Sequence, residues 1–416
     1  MTLTRTMIER QLDLNHPHFI FNPYPLLSEI RETTPIFYEP RWQKLFFTRY
    51  EDIAFLLRDK RLGRSILHLL SREELGWPPP DPKLATFDRF QSKIILDREP
   101  PDHTRLRCLI GKAFTPQRVE GLRSRIETIV NQLLDRVESR RQMDLLADFA
   151  EPLPVTVIAE LLGVPEAERH HLRPWSAAIV KLYEVTHCEE QAKAAVQAVN
   201  EFSDLLRNLA EERRCRPQDD LITAMVQAEE QGDRLSEDEL IANSILLLNA
   251  GHEASVNGTT GGLLALFRHP DQLALLKKSA ANCQSPIFKT AIDELLRFDT
   301  PVPLFMRWVL HDFEYQGISL KRGTEVALLY AAGNRDPRRF VHADELDVQR
   351  IDNPHLTFGL GIHFCLGAPL ARLEMQIAVE TLLRRLPDLH LAIPEQNVEY
   401  NAGFVIRGLK SLPVAW

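Results

Sequence analysis

The sequence predicts a mainly α-helical protein with small β-sheets, built as one domain over residues 1–416. Helical spacing of apolar residues dominates one long central stretch, 102–298. Segments typical of β-strands are confined to 35–48 and to the chain after residue 298. No Ser/Gly-rich linker, low-complexity tract or internal repeat divides the chain, and 44% hydrophobic residues suffice for one sizeable core.

The N-terminal part combines two short strands with a helix and a long irregular segment. Residues 35–38 and 44–48 are rich in β-branched and aromatic side chains and predict two strands joined by a turn over 40–43. A helix is expected over 50–59. Residues 63–98 contain four prolines and predict irregular chain, which inside a compact domain usually forms a lid or a binding loop.

One long apolar helix is expected in the centre of the chain. Ser236 and Glu239 have the spacing of a capping box, and the apolar run 240–267 that follows them ends before Pro270. A run of about thirty residues corresponds to a helix of roughly 45 Å. Because this helix is apolar on most sides, we expect it to cross the interior of the protein.

The chain after residue 298 has β character interrupted by turn residues. Strands are expected over 303–309, 313–315 and 324–329. A last small hairpin is expected from 403–406 and 412–415. Together these segments predict a β-rich region at the side of a helical body.

Composition limits the possible partners and the compartment. The net charge of −8 argues against nucleic acid as a partner. The first residues resemble neither a signal peptide nor a membrane anchor, and no run of about 18 or more apolar residues occurs, so we expect a soluble, cytoplasmic protein. The cysteines have no C-x-x-C spacing, which suits a reducing compartment and argues against a zinc site or a disulfide framework. They are Cys108, Cys188, Cys215, Cys283 and Cys365.

The most informative segment is the loop 358–372, with the sequence FGLGIHFCLGAPLAR. Gly359 and Gly361 permit a tight turn that passes close to a flat ligand. Helical spacing begins at Leu366, so Cys365 lies just before a helix N-terminus, where backbone amides and the helix dipole favour a thiolate. A lone cysteine is usually a buried structural residue. A thiolate in an amide-lined loop is also the axial ligand that a haem iron uses in oxygen chemistry.

This loop resembles the haem-binding loop of the cytochrome P-450 superfamily, F-G-x-G-x-H-x-C-x-G-x-x-L-A, at every defined position. The resemblance implies the single-domain fold of the soluble bacterial members, with a long central helix over the haem and a β-rich side region. It also implies haem b (iron protoporphyrin IX), with the Cys365 thiolate as the metal ligand. Phe358, His363 and Gly367 are the other loop positions that the family places at the haem.

A second motif pairs Glu294 with Arg297 three residues later on one predicted helix. Such a pair normally lies on the surface and contributes about 0.3 kcal/mol. The resemblance implies instead a buried structural pair that fixes the loop below the haem. Related sequences complete the pair with an arginine, but that position aligns with Glu345 here. Three residues are candidates for its role: Arg335, Arg339 and His355.

Cationic side chains are expected to bind the haem propionates. His103 and Arg107 are four residues apart and share one face of a predicted helix. The resemblance assigns these two residues, together with Arg307 and His363, to the propionates. Two buried carboxylates need such donors, and arginine supplies charge-assisted hydrogen bonds.

A third motif lies in the long helix. Gly251 in a helix interior costs about 1 kcal/mol relative to alanine, which predicts a kink or local widening over the ligand. The family pattern is A-G-x-(D/E)-T, and Ala250, Gly251 and Glu253 match it. Ala254 stands where the family has threonine, and Ser255 follows it. The expected catalytic positions are therefore Glu253, as a proton relay, with Ala254 and Ser255 where the threonine hydroxyl is missing.

The resemblance implies a haem-thiolate monooxygenase that inserts one oxygen atom from O₂ into an apolar small molecule, by hydroxylation or oxidative dealkylation. A ferredoxin or flavodoxin-type partner would supply the electrons. A basic patch that would suit an acidic ferredoxin is expected from Arg105, Lys112, Arg118 and Arg372. Most of the implied substrate contacts are apolar, which indicates a lipophilic substrate. They are residues 66–90, Leu246, Leu247, Asn249, Ala250, Val302, Leu304, Phe305, Phe404 and Val405.

Two alternative functions keep the haem. A peroxide-driven peroxygenase is permitted by the missing threonine, but Glu253 argues against it, because peroxygenases of the family carry Arg-Pro in place of the acid–alcohol pair. A non-catalytic haem-binding sensor or carrier would be marked by loss of the proton-relay acid or of the partner surface. The sequence has neither mark.

Overall fold

The computed structural model describes residues 9–10, 12–183, 188–230, 232–282 and 284–416. These residues form two compact units. The first unit contains the described residues up to 69, 123–151 and 254–416, and the second contains those of 70–122 and 152–253. The boundary between the units falls inside one long helix, between Glu253 and Ala254. Cys283 lies outside the described residues.

Helices make up most of the described chain. The longest, α12, begins with the predicted capping box: the Ser236 hydroxyl accepts the Glu239 N–H (3.3 Å), and the Glu239 carboxylate accepts the Ser236 N–H (2.9 Å). Among the described residues no helix, α12 included, is both long and apolar enough to cross a membrane. The α-helices are α1 (Pro17–Phe21), α2 (Tyr24–Thr33), α3 (Tyr50–Leu56), α4 (Ala85–Gln91), α5 (Asp102–Ala113), α6 (Pro116–Gly121), α7 (Arg123–Asp135), α8 (Pro152–Leu162), α9 (Arg169–Val180), α10 (Glu189–Cys215), α11 (Leu221–Gln227), α12 (Glu237–Arg268), α13 (Pro270–Ala280), α14 (Ile287–Phe298), α15 (Tyr330–Gly333) and α16 (Ala368–Arg385).

The strands are short and form small sheets. They are β1 (Ile36–Glu39), β2 (Lys44–Phe47), β3 (Leu62–Gly63), β4 (Gln142–Asp144), β5 (Glu229–Glu230), β6 (Asp233–Arg234), β7 (Phe305–Val309), β8 (Phe313–Tyr315), β9 (Ile318–Leu320), β10 (Glu325–Leu328), β11 (His390–Leu391) and β12 (Pro413–Ala415). The largest sheet has the order β1-β2-β10-β7-β3, and a second has the order β11-β12-β4. β5 pairs with β6, and β8 pairs with β9. The β2–β10 pair is parallel and the others are antiparallel.

In the first unit the five-stranded sheet carries an apolar layer on each face. Side chains alternate across a strand, so Leu45 of β2 joins one buried cluster and Phe46 joins the other. The same alternation sends Val326 of β10 to the first face and Ala327 to the second. Arg307 of β7 stands opposite Val326. The sheet register therefore fixes the position of one of the predicted propionate ligands.

Glycines bring the second half of α12 close to α14. A Cβ on Gly258 would lie 3.1 Å from the side chain of Leu296, and one on Gly262 would lie 3.2 Å from that of Leu295. Larger residues at these two positions would push the helices apart, since protein interiors are close-packed. This packing fixes α14, the helix that carries the predicted Glu–Arg pair.

A buried ion pair joins the C-terminal segment of the first unit to α1 and to the end of α14. The Asp299 carboxylate accepts from the Tyr24 hydroxyl (2.9 Å) and from Arg407 Nη1 (2.5 Å). Arg407 also donates to the carbonyls of Ile20 (2.7 Å) and Phe21 (3.0 Å). Burial opposes ionisation of Asp299, but Arg407 and Tyr24 hold its pKa below the usual value. A buried charge needs such partners, so the contact fixes the path of the chain at Arg407.

The second unit is a helical layer with few strands. Trp175 of α9 stacks on Phe202 of α10, with ring centroids 5.3 Å apart. Asn243 on the first half of α12 accepts the N–H of Ile95 (2.8 Å) and donates to the carbonyl of Lys93 (3.1 Å). The irregular segment before α5 is thereby attached to α12.

The structure confirms the predicted strands β1 and β2 and the long helix α12. Residues 63–98 are less irregular than expected, because they contain part of β3, the helix α4 and two 3₁₀ turns. Phe87 and Phe90 are buried and pack edge to face, with centroids 5.8 Å apart. Their mutual burial stabilises α4, a helix that the flanking prolines concealed in the sequence.

The predicted C-terminal hairpin is wrong. β12 pairs with β11 and β4, while residues 403–406 form no strand. Gly403 has a φ of +104°, which turns the chain away from a strand. Phe404 then inserts into the core, with its ring 4.7 Å from that of Phe19.

Candidate active site

The loop before α16 holds Cys365 on a tight backbone turn. The N–H of Cys365 donates to the carbonyl of Phe358 (2.9 Å), and the N–H of Phe364 donates to the carbonyl of Gly361 (3.1 Å). Cys365 lies two residues before Gly367, the N-cap of α16. Its side chain is exposed and forms no disulfide with the other described cysteines. The dipole of a long helix therefore acts directly next to the residue that bears the sulfur, where it favours negative charge.

Two glycines shape this loop, and one of them is required by a close approach. Gly361 has a φ of +73°, and a Cβ there would lie 2.4 Å from the carbonyl oxygen of Leu57, just after α3. Gly359 has a φ of +66°, which side chains other than glycine rarely adopt. The loop is thus pressed against the end of α3, and its shape does not depend on the cysteine side chain.

The residues of the loop fit a haem. Cys365 is exposed, and a Cβ on Gly367 would meet only its sulfur, at 3.9 Å, so Gly367 leaves space on this side of the loop. The described part of the chain contains no group of three or more His, Cys, Asp or Glu side chains that could hold a metal ion. Cys365 is therefore a single protein donor. One thiolate suits an iron whose other ligands come from a porphyrin.

Two arginines converge on one carbonyl beside the loop. Arg307 is buried on β7 and donates to the carbonyl of Met306 (2.9 Å). Arg64 donates to the same carbonyl (3.0 Å). Burial raises the pKa of the neighbouring Tyr330 hydroxyl, while the two guanidinium groups act in the opposite direction. This concentration of positive charge suits the carboxylate of a porphyrin. The sequence patterns had not indicated Arg64.

The predicted Glu–Arg pair is fully buried in the first unit. Arg297 Nε and Nη2 donate to the two Glu294 carboxylate oxygens, at 2.7 and 2.8 Å. Arg297 also donates to three backbone carbonyls, those of Asn334 (2.8 Å), Ala343 (2.7 Å) and Glu345 (3.1 Å). This side chain therefore holds α14 and the irregular segment after α15 together.

Arg350 completes the pair, and none of the three candidates from the sequence does so. Its Nε donates to Glu294 at 3.0 Å. The candidates have other partners: Arg335 donates to the Phe298 carbonyl, Arg339 pairs with Asp352, and His355 contacts Asp293. Glu345 takes part through its backbone carbonyl rather than its side chain. The chain between 345 and 350 turns back toward α14, which spacing alone did not reveal.

Gly251 is explained by close packing rather than by a kink. α12 is uninterrupted from Glu237 to Arg268. A Cβ on Gly251 would lie 2.5 Å from Cδ1 of Ile158 on α8, within the second unit. The glycine therefore allows α8 to approach α12, and no π-helical turn widens α12 at this position.

We expect Gly251→Ala to lower the free energy of unfolding by about 1 kcal/mol, because overpacking costs about 1–3 kcal/mol and the gain in helix propensity returns about 1 kcal/mol. Ile158→Val removes the atom that the new methyl group meets. Urea unfolding of the two single variants and the double variant measures the coupling. The double variant should lose about 1 kcal/mol less than the sum of the single losses. A loss in the double variant equal to the sum of the two single losses would contradict the contact between residues 251 and 158.

Comparison with known proteins identifies the family. The family model described as cytochrome P-450 matches residues 66–397. The polyketide biosynthesis cytochrome P-450 PksS of Bacillus subtilis (strain 168) is 40% identical over 96% of this chain and 98% of its own length. This chain belongs to the cytochrome P-450 family.

Other cytochromes P-450 match over most of the chain. Mycinamicin IV hydroxylase/epoxidase of Micromonospora griseorubida is 39% identical over 94% of each chain. The structure of the BioI cytochrome P-450 in complex with hexadec-9Z-enoic acid ligated acyl carrier protein has a TM-score of 0.86 and 34% identity, covering 96% of this chain and 99% of that chain. The chain is thus a cytochrome P-450 monooxygenase, a family that carries haem b on a cysteine thiolate.

The four predicted propionate ligands of this cytochrome P-450 are divided between the two units. His103 is buried on the first turn of α5, and Arg107 follows one turn later, both in the second unit. Arg307 and His363 belong to the first unit, on β7 and in the 3₁₀ turn of the cysteine loop.

The predicted catalytic positions all lie on α12. Glu253 is the last residue of the second unit, and Ala254 and Ser255 begin that part of α12 which belongs to the first unit. Ser255 is buried, and its carbonyl accepts the Thr259 hydroxyl (2.9 Å). No side-chain hydroxyl is present at position 254.

The predicted substrate contacts fall into two groups. Ala250 is exposed, and Leu247, Val302, Phe305 and Val405 are half-buried, so they remain candidates. Leu246 and Asn249 are buried on α12, and neither polar atom of the Asn249 amide has a hydrogen-bond partner. Leu304 and Phe404 are also buried, in the core of the first unit, where they contact other core side chains, and their contact with substrate stays a prediction.

The predicted basic patch is largely neutralised. Arg105 pairs with Glu239 and with Asp233 (3.5 Å). Arg118 lies 3.6 Å from an Asp219 oxygen, and Arg372 donates to Asp293 (2.7 Å). These arginines therefore contribute less positive potential to a partner surface than their number suggests.

Proposed function

We propose that this cytochrome P-450, as a single domain over residues 1–416, inserts one oxygen atom of O₂ into a lipophilic, oxygen-bearing small molecule, by hydroxylation or oxidative dealkylation. A ferredoxin or flavodoxin-type protein supplies the electrons. The exposed Cys365 just before the N-terminus of α16 carries the proposal, because it is the thiolate site that this chemistry requires.

When bound, the haem supplies oxygen activation and the oxidation of the substrate C–H bond. Cys365 would hold the iron. Arg307, His363, Arg64, His103 and Arg107 are the residues that would bind the propionates. Glu253 moves a proton along α12. The apolar candidates on α12 and β7 orient the substrate and exclude water.

The substrate class is inferred from the relatives and from residue 254. Two relatives carry names of polyketide biosynthesis and of mycinamicin IV oxidation, and a structural neighbour holds a fatty acid on an acyl carrier protein. We infer a substrate that is long and mostly apolar but that carries hydroxyl or carbonyl groups. Such a group can take the place of the threonine hydroxyl that Ala254 lacks.

A spectroscopic screen tests this function. Purified, haem-loaded protein should show a strongly red-shifted Soret band in its reduced CO complex. Oxygenated lipophilic compounds should then displace the haem-bound water and shift the ferric Soret band to shorter wavelength. With NADH, a ferredoxin reductase and a ferredoxin, the best binders should gain one oxygen atom. Oxidation with hydrogen peroxide alone at an equal rate would favour the peroxygenase alternative, which Ala254 permits.

The alanine at position 254 leads to a prediction about how closely NADH consumption is coupled to product formation. Ser255 points about 100° away from Ala254 on a regular helix, so we expect Ser255→Ala to leave the ratio of product to NADH almost unchanged. Ala254→Thr should leave that ratio unchanged or lower it, because the new side chain competes with the substrate group for the same space. Apolar analogues of equal shape should divert most of the NADH to hydrogen peroxide. Uncoupling by Ser255→Ala alone, or full coupling with apolar analogues, would place the proton relay within the protein.

A further inference from the structure

Phe358 connects the cysteine loop to two neighbouring side chains that can carry charge. Its carbonyl accepts the Cys365 N–H at 2.9 Å, so its backbone is joined directly to the residue that bears the sulfur. The Arg372 guanidinium of α16 lies over the Phe358 ring, with Cζ 4.4 Å from the centroid. The His355 ring packs beside the same ring, with centroids 5.6 Å apart. The Phe358 ring is therefore contacted by two side chains that can carry charge.

One carboxylate connects Arg372 and His355. Asp293 of α14 accepts Arg372 Nε at 2.7 Å and contacts His355 Nε2 at 3.1 Å, both through Oδ1. The Thr357 N–H donates to His355 Nδ1 (3.3 Å), so the His355 proton lies on Nε2 and points to Asp293. His355 is buried, whereas Asp293 and Arg372 are each about one-third exposed. The three residues form a bracket around Phe358, made by α14, α16 and the loop itself.

The charges within the bracket balance. Burial lowers the pKa of His355, so this ring is neutral at pH 7. Burial opposes ionisation of Asp293, but His355 and Arg372 outweigh it and hold the Asp293 pKa below its usual value. Arg372 is therefore a cation that lies over the ring of Phe358, the residue whose carbonyl binds the Cys365 N–H. Asp293 is the anion that compensates this charge.

We propose that Asp293, Arg372 and His355 are positioning residues that hold the Phe358–Cys365 segment, and that their charge balance sets the reduction potential of the haem iron. The proposal rests on the proposed function, since it requires the Cys365 thiolate to bind iron. Residues outside the ligand shell tune metal sites through orientation and charge. The ferrous state carries one electron more than the ferric state, so an uncompensated positive charge near the loop stabilises it and an uncompensated negative charge destabilises it. The partial exposure of Asp293 and Arg372 to solvent weakens this effect without removing it.

Two variants test the charge balance with opposite signs. Asp293→Asn leaves Arg372 uncompensated and should raise the ferrous-to-ferric ratio at a fixed solution potential by three- to tenfold. This corresponds to a rise of the haem reduction potential by about 30–60 mV, at 59 mV per tenfold. Arg372→Gln leaves Asp293 uncompensated and should lower that ratio by a similar factor. Anaerobic dithionite titration of the haem-loaded full chain, followed at the Soret band, gives the ratio. Arg372→Lys, which keeps the charge, should stay closer to the parent than Arg372→Gln.

A remote pair provides the matched control. Lys321 and Asp312 form an exposed ion pair (2.9 Å) at the β8–β9 hairpin, so Asp312→Asn and Lys321→Gln make the same charge changes away from the loop. These variants should keep the parent potential. Unchanged potentials in Asp293→Asn and Arg372→Gln, or shifts of the same sign in these two variants, would overturn the bracket, while a normal CO spectrum would still uphold the haem-thiolate function. A parent protein without the red-shifted band would overturn both.

Discussion

Cys365→Ser is expected to abolish the strongly red-shifted Soret band of the reduced CO complex. A serine hydroxyl remains protonated near neutral pH and donates far less electron density than a thiolate, so the haem is either lost or bound with an ordinary spectrum. The loop should survive the change, because its shape depends on the Phe358 carbonyl bond and on Gly361 against Leu57. Difference spectra of the purified variant, with haem content measured in parallel, check this expectation.

The other cysteines are the control for this variant. Cys108, Cys188 and Cys215 are exposed and lie in other parts of the fold, and Cys283 lies outside the described residues. Their replacement by serine should leave the CO spectrum intact. An unaltered spectrum in Cys365→Ser would show that another residue binds the iron and would overturn the assignment of the ligand.

Arg297→Ala should destabilise the protein by about 3–5 kcal/mol and yield little haem-loaded material, because it removes the main partner of a buried carboxylate. Three backbone carbonyls lose their donor in the same step. Arg297→Lys should recover only part of the loss, since an ammonium cannot reach two carboxylate oxygens and three carbonyls together. Urea unfolding and the ratio of haem to protein after purification measure the effect.

Arg339→Ala is the matched control, because it also breaks a two-bond arginine–carboxylate pair. Its partner Asp352 is 78% exposed, so the expected loss is about 1 kcal/mol or less. Arg350→Ala should fall between these two variants, because Glu294 keeps Arg297. Equal stability of the Arg297 and Arg339 variants would mean that the Glu294 pair contributes no more than a surface contact.

The cysteine loop and the long helix could be predicted from the sequence because their signals are local. Gly359 and Gly361 mark backbone with positive φ, and the structure has both in that conformation. Ser236 and Glu239 mark a helix start through contacts three residues apart. Such signals require no knowledge of how distant segments meet.

Arg350 could not be predicted because its contact with Glu294 spans 56 residues of chain, much of it irregular. The resemblance placed the position of the missing arginine at Glu345 and left Arg335, Arg339 and His355 as candidates, but the local turn decides which side chain returns to α14. The same limit applies to Arg64, which reaches the Met306 carbonyl 242 residues away. Residue type narrowed the candidates to basic side chains, and only the fold distinguished among them.

Leu304, Phe404 and Gly251 illustrate a different limit. An apolar side chain that lines a pocket and one that fills a core have the same chemistry, so the sequence could not show that Leu304 and Phe404 are buried among core side chains. A helix glycine can mark a distortion or a close neighbour, and at Gly251 the neighbour is Ile158. The sequence limits the structural roles that a residue can have, and the packing of the folded chain determines which of them it takes.

The Arg407 contacts have a consequence for synthesis of the chain. Arg407 binds the Ile20 carbonyl across 387 residues, so α1 cannot reach its final partners until the chain has been made as far as Arg407. At about 5–20 residues per second, that delay is roughly 20–80 s. During this time the apolar residues of α1, Phe19 and Ile20, lack their final cover and are available to chaperones or to other nascent chains. Ribosome pausing late in the message would therefore lower the yield of folded protein more than pausing early in it.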